Sequence, residues 1–395
     1  MSPVLPFDII DLIIDIVGEN KDTNLLKELA LVSQYFLQIC SKHLFATVEL
    51  HKAHHVKKGF IELLKSRPDV VKYIRKLTYE LGYHDDDHLL QVSPILFNFL
   101  PTISRLNCLK ISSMMVDWNT LNYSMTSAFL HLMHLPTINH IDISFIQNFP
   151  ISSLTSSVNL LRLDINNLSG IDPLEEEIVV QSEMMPKIRE FHTSDSSKLT
   201  TMLLHTKRHD GRLAFNFMDL RRLSMSFTRF NKDDDEQNFR HLLQNAKLLE
   251  KLHLSVDLCR TIVGLLSPCQ CASTLKTLDL TVFLYRYFLP PLSGLCEELE
   301  AMTGHNMLET LSLKVRVECD ETEDFIGAMI EKVGNVLVKP GWSALRQVSF
   351  NISISPWGNG KKLSEALQSL PDKYLSHLSK LESVAFNYSA YVHSS

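Results

Sequence analysis

The sequence predicts an α/β chain, a short helical module at the N-terminus followed by a solenoid of strand–helix repeats whose parallel strands line a concave face. Three observations predict it. Two apolar stripes at helical spacing occupy residues 1–50, a Leu-x-x-Leu-x-Leu rhythm returns eleven times from Ile74 onward, and stretches of helical periodicity lie between its occurrences.

Composition sets the outer bounds. At 395 residues, 45% hydrophobic and 21% charged, the chain has the make-up of a folded protein with a large core. Length alone allows two or three domains of roughly 150 residues, or one elongated array. The net charge is −6, and Lys207–Arg208 and Arg221–Arg222 are isolated basic pairs, so no nucleic acid partner is expected. Seven scattered cysteines make no disulfide framework and no signal-peptide pattern opens the chain, so a reducing cytoplasmic or nuclear compartment is expected. Asp8, Asp11 and Asp15 interrupt the apolar stretch near the start, which a membrane helix of roughly 20 apolar residues would not tolerate. No membrane partner is expected.

In the first module a helix is expected over Asp8–Val17. Ile9, Ile13 and Ile16 share one face, Ile10, Ile14 and Val17 an adjoining one, and Asp8, Asp11 and Asp15 the opposite side. Pro6 stands just ahead, where its missing N–H costs nothing, and Gly18 is the expected stop. The polar turn from Glu19 to Asn24 offers Asp22, Thr23 or Asn24 as cap for a second helix over about Leu25–Cys40, along which Leu25, Leu29, Val32, Phe36 and Ile39 recur. Two stripes this wide exceed what so short a pair buries against itself, so some of that surface is expected to meet something else.

The run Leu5-Pro6-Phe7-Asp8-Ile9-Ile10, followed by Leu29-Ala30-Leu31-Val32-Ser33, Phe36, Cys40 and Leu44-Phe45, resembles an F-box of the kind abundant in fungi. Phe45 stands where that family often has a Trp. The resemblance covers about a tenth of the chain and implies that Leu5, Pro6, Ile9, Ile13, Leu29, Val32 and Phe36 supply an apolar surface for the Skp adaptor, and through it a cullin-RING ligase. The alternative is that these helices simply cap the repeats that follow, although a cap normally shows a polar outer face.

Residues 51–73 read as a connecting helical segment and 74–395 as the repeat body. The rhythm runs through Ile74-Leu77-Tyr79, Leu106-Leu109-Ile111, Ile138-Ile141-Ile143, Val158-Leu161-Leu163, Ile188-Phe191-Thr193, Leu220-Leu223-Met225, Leu249-Leu252-Leu254, Leu275-Leu278-Leu280, Leu308-Leu311-Leu313, Leu345-Val348-Phe350 and Leu381-Val384-Phe386. Most steps leave room for one strand and one helix. Helices are expected over 87–100, 119–134, 236–248, 259–266, 292–302, 323–338 and 361–370. The pattern resembles irregular leucine-rich repeats, the body with which many F-box proteins hold their targets. The Asn or Cys of that family's consensus recurs only at Asn166.

Strand alternation places the residues between the apolar positions on the open face. Arg162, Asp164, His253, Asp279, Lys314, Arg316 and Asn351 are the residues expected to meet a target protein there, and Lys314 with Arg316 would suit an acidic or phosphorylated segment. No cofactor, metal or enzymatic activity is expected. His84-Asp85-Asp86-Asp87-His88 reads as a capped turn, Cys259, Cys269 and Cys271 lack paired zinc spacing, Gly358-Asn359-Gly360-Lys361 lacks the rest of a phosphate loop, and no motif ties a Cys or Ser to a His and an acid. The expected function is the substrate-recognition subunit of a Skp–cullin–F-box ubiquitin ligase, and the alternative is a ligase-independent interaction scaffold.

Overall fold

The computed structural model describes residues 6–51, 54–82, 93–169, 184–208, 210–227, 232–257, 264, 266, 273–285, 294–304, 306–318, 323–355, 360–378 and 383–392. They belong to two compact units, Met1–Pro186 with Lys207–Ala214, and Lys187–Thr206 with Phe215–Ser395.

The first unit opens with three helices where two are expected: α1 (Phe7–Glu19), α2 (Thr23–Ala30) and α3 (Gln34–Leu44). The second stripe is split at Ser33, whose backbone is extended and whose hydroxyl accepts a hydrogen bond from the Phe36 N–H at 3.3 Å, starting a new helix. Asp22 caps α2 by accepting from the Leu25 N–H at 3.1 Å. Gly18 is not the stop, because α1 runs on to Glu19 and Lys21 takes the left-handed conformation, with φ 58°. Gly18 serves packing instead, since a Cβ there would overlap the His43 ring.

A parallel sheet follows in chain order, formed by β1 (Thr47–Leu50), β2 (Lys76–Glu80), β3 (Cys108–Asp117), β4 (His140–Gln147) and β5 (Arg162–Asn166). It begins at Thr47, inside the stretch read from sequence as the helical module. Between the strands run α4 (His54–Ser66), α5 (Ser93–Phe99), α6 (Tyr123–Met133) and the single turn α7 (Ser152–Thr155), each packed on the next to make one layer. The second unit repeats the plan with seven parallel strands: β6 (Glu190–Ser194), β7 (Arg222–Phe227), β8 (Lys251–Asp257), β9 (Thr277–Tyr285), β10 (Thr310–Glu318), β11 (Gln347–Ile354) and β12 (Ala385–Val392). Its helices are α8 (Ser197–His205), α9 (Lys232–Asn245), α10 (Leu295–Met302), α11 (Glu323–Leu337) and α12 (Gly360–Tyr374). Each unit is therefore an α/β array of strand–helix repeats with its parallel strands in chain order. The helix expected over 259–266 lies mostly outside the described residues, and α7, α8 and β1 were not expected.

Alternation explains the core. Leu109, Ile111, Ile141, Ile143, Leu163 and Ile165 are sealed beneath the sheet against Phe129, Leu132 and Met133 of α6. Register is held by one carbonyl per repeat, just ahead of the strand, that uses both oxygen lone pairs: Arg75 accepts from Asn107 and Cys108, Asn107 from Asn139 and His140, and Asn139 from Leu161 and Arg162. Arg221, Glu250, Lys276 and Glu309 do the same in the second unit.

Two repeats sit two residues from their expected register. Leu163, not Leu161, pairs with Ile141, so the inward triplet is Leu160-Leu163-Ile165 and Leu161 is exposed. At the far end Phe386 and Tyr388, not Val384 and Phe386, pair with Val348 and Phe350, and the expected Leu381 lies outside the described residues. A shift of two preserves which face each residue occupies, which is why the faces still come out as expected.

Candidate functional site

The core of the three-helix module is small. Ile14, Leu26 and Cys40 are sealed in it, and Ile10, Val17, Leu29, Ala30, Phe36, Ile39 and Leu44 pack around them. The acids hold α1 in this orientation. Tyr35 donates its hydroxyl to Asp11 at 3.1 Å, and the Asp15 carboxylate meets Lys42 Nζ and His43 Nε2, each at 2.7 Å. The neighbouring ammonium of Lys42 holds Asp15 below the usual carboxylate range, with His43 assisting against partial burial. Asp11 and Asp15 thus face α3 instead of open solvent, and the apolar face of α1 is turned outward.

Phe7, Ile9, Leu12, Ile13 and Ile16 are exposed along that face, Phe7 by 63%, Leu12 by 56% and Ile16 by 50%. The break between α2 and α3 adds Leu31 at 86% and Val32 at 65%. Phe7 stacks edge-on against Tyr35 with ring centres 4.7 Å apart, placing the start of α1 beside the start of α3, next to that break. Of the residues expected to dock an adaptor, Pro6, Ile9, Ile13 and Val32 lie outside, Leu29 and Phe36 are spent largely on the module's own core, and Leu5 lies outside the described residues. Leu12, Ile16, Leu25 and Leu31 are exposed apolar residues outside the set expected to dock an adaptor, although Ile16 and Leu25 were placed on the apolar stripes. The spacing of Ile9, Leu12, Ile13 and Ile16 on one helix face was the available signal.

The polar face of the sheets holds the residues expected to meet a target. In the second unit His253, Asp279, Lys314, Arg316 and Asn351 all stand on it, as alternation with the buried Leu252, Leu278, Leu313, Val315 and Ile352 requires. Lys314 pairs in register with Asn351, and Arg316 lies over the Phe283 ring at 5.3 Å. Burial holds His253 below the usual imidazole range against the pull of Asp279, with Lys314 and His192 adding to the depression.

In the first unit Arg162 and Asp164 are engaged with one another. The guanidinium donates to Asp164 from Nε at 3.1 Å and from Nη2 at 2.8 Å, and the carboxylate is almost fully covered. His140 contacts the same carboxylate through Nε2 at 3.0 Å, while its Nδ1 lies 3.2 Å from Cys108 Sγ. The sequence reading missed Cys108 and His140. Burial opposes charge on His140, but the bonds to Asp164 and Cys108 outweigh it and raise the imidazole to about 9. Asp164 is likewise disfavoured as an anion by burial, yet is held below its usual range by His140 and Arg162. The groups form a line from sulfur to carboxylate and do not converge on one point, the arrangement a metal ion needs. Among the described residues no cluster of three or more His, Cys, Asp or Glu is disposed to hold a metal, and no helix is long and apolar enough to cross a membrane.

No family model matches the sequence, and no curated protein matches it. Similar solved structures include an internalin from Listeria monocytogenes, 12% identical, covering 87% of this chain and 92% of that one with a TM-score of 0.36. Another is the plant peptide hormone receptor RGFR1 in complex with RGF2, 10% identical, with 89% of this chain and 61% of that one covered and a TM-score of 0.24. The chain thus spans less than two thirds of that receptor. Neither likeness bears on function at this level of superposition.

Proposed function

We propose that the chain is the substrate-recognition subunit of a Skp–cullin–F-box ubiquitin ligase. The N-terminal helices dock the Skp adaptor, and the polar faces of the repeats hold a target protein near the ubiquitin-charged enzyme, so that the receptor contributes proximity and orientation and catalyses nothing itself. The observation that carries the reading is the outward apolar stripe of α1 continued by Leu31 and Val32. A terminal cap would present polar residues there, and each such side chain gains about 1.5–3 kcal/mol when fully buried by a partner. The F-box resemblance supplies the identity of that partner.

The test is co-expression of the full chain with a Skp adaptor, followed by gel filtration. A one-to-one complex is expected, and Leu12→Asp with Ile13→Asp should abolish it while circular dichroism and the melting transition stay unchanged. Absence of a complex with the unaltered chain rejects the adaptor reading. An adaptor complex that fails to recruit cullin points instead to the ligase-independent scaffold.

A further inference from the structure

We propose that Cys108 is a nucleophilic thiol, activated by His140 and Asp164, and that it is a site of reversible oxidation by hydroperoxides.

Three neighbouring strands build the arrangement. Cys108, His140 and Arg162 occupy one register row across β3, β4 and β5, with Lys76 of β2 beside Cys108 in the same row. Asp164 stands one outward position further along β5. Thiol, imidazolium and carboxylate therefore follow in order, Sγ to Nδ1 at 3.2 Å and Nε2 to carboxylate at 3.0 Å, and a thiol beside a cationic imidazole is the activated kind. Asp164 is fixed by Arg162, so the ring is locked between two immobile partners. The charged groups around the thiol are Lys76 on β2, Lys110 on β3, paired with Asp142 of β4 at 2.8 Å, and Arg162 with Asp164 on β5. Lys110 and Arg162 are each paired with a carboxylate, and Lys76 shares the register row of the thiol. Cys108 keeps 8% of its surface open.

The chemistry balances. His140 is already the imidazolium at neutral pH, so the Cys108 proton is lost to solvent and the sulfur attacks one peroxide oxygen as the O–O bond breaks. Sulfur loses two electrons and becomes a sulfenic acid, and the departing hydroxide takes a proton from His140, which solvent restores, and leaves as water. A low-molecular-weight thiol then condenses with the sulfenic acid, releasing a second water and leaving a mixed disulfide that thiol exchange reverses.

Cys296 is a built-in contrast, because burial, with Glu297 and Glu300 adding to it, holds its thiol above the usual range. The experiment uses the full chain, iodoacetamide as an alkylating probe and hydrogen peroxide with dimedone as a sulfenic acid probe, each read peptide by peptide by mass spectrometry. Cys108 is expected to alkylate at least about tenfold faster than Cys296 at pH 7, and His140→Asn to remove that lead. Dimedone is expected on Cys108 at least about tenfold ahead of Cys296. Alkylation no faster than that of Cys296 in the unaltered chain, or no adduct at Cys108, makes it an inert thiol and overturns the proposal without any variant. Equal labelling of Cys108 and Cys296 by dimedone overturns it too.

Discussion

Helices α1 and α6 of the same unit treat their apolar residues in opposite ways. α6 seals Met125, Ala128, Phe129, Leu132 and Met133, whereas α1 seals Ile14 alone and leaves Ile9, Leu12, Ile13 and Ile16 outside. Both are amphipathic enough to form on their own pattern. The difference is what lies beneath: α6 sets Phe129 against Tyr79 of β2 and Phe97 of α5, while α1 packs on α2 and α3, and those three share one small cluster. A stripe wider than its support is exposed surface, and exposed apolar surface of this extent marks a place for a partner.

Truncation breaks or sharpens that contrast most directly. Phe129 is fully buried among the rings of Tyr79 at 5.2 Å, Phe97 at 6.1 Å and Trp118 at 6.4 Å. Phe129→Ala should cost about 3–5 kcal/mol in urea unfolding. Leu12→Ala should change stability by no more than about 0.5 kcal/mol. If the two cost alike, the α1 stripe is covered by the chain itself and the contrast is void.

A second difference separates the two sides of the sheet: beneath it contacts are apolar and indifferent to pH, while above it His140 and Asp164 titrate. His140 is raised to about 9 in the fold against an ordinary 6.5, so its stabilisation is complete below about pH 6.5 and is lost as pH rises through 9. Urea midpoints should fall between pH 7 and pH 10 by the equivalent of about 2 kcal/mol. His140→Asn should flatten the profile over that interval. An unchanged slope in the variant would assign the loss to other groups.

Much of this was legible in the sequence, and the failures have physical causes. The parallel order of strands and the buried triplets followed from the Leu-x-x-Leu-x-Leu rhythm, because period-2 alternation over a covered face is a strong signal. The break at Ser33 was hidden by apolar residues that keep helical spacing across it, so a cap hydrogen bond decided what periodicity could not. The outward turn of α1 was likewise hidden: its two apolar faces are alike in composition, and contacts between distant residues, among them Asp11 with Tyr35 and Asp15 with Lys42 and His43, choose between them. The Cys108–His140–Asp164 line was concealed by a slip of two. With Leu161 taken as the inward residue, Arg162 aligns with Lys110 and Asp142. With Leu163 in its place, Arg162 aligns with Cys108 and His140, and Asp164 falls next to the histidine. The buried Leu160, available as an alternative start to the triplet, was the one clue to the right register.

The smallest effect tests how α1 comes to face outward. Asp15 is held below its usual range by Lys42 and His43, so whatever it contributes is present above about pH 4 and disappears as pH falls through its lowered value. Both Asp15 and Lys42 are more than a third exposed, and solvent screening limits an ion pair of this kind to about 0.5 kcal/mol. Asp15→Asn should therefore lower stability at pH 7 by that much or less, and by less again in molar salt. Adaptor binding provides the sharper reading. The hydrogen bond from Tyr35 to Asp11 and the packing of Ile10, Ile14 and Val17 hold α1 in place without Asp15, so gel filtration of the variant with the Skp adaptor should still give the complex. If the complex is lost while the fold stays intact, the docking surface depends on the exact pitch of α1 against α3, and the ion pair works as an orienting device, not as a source of stability.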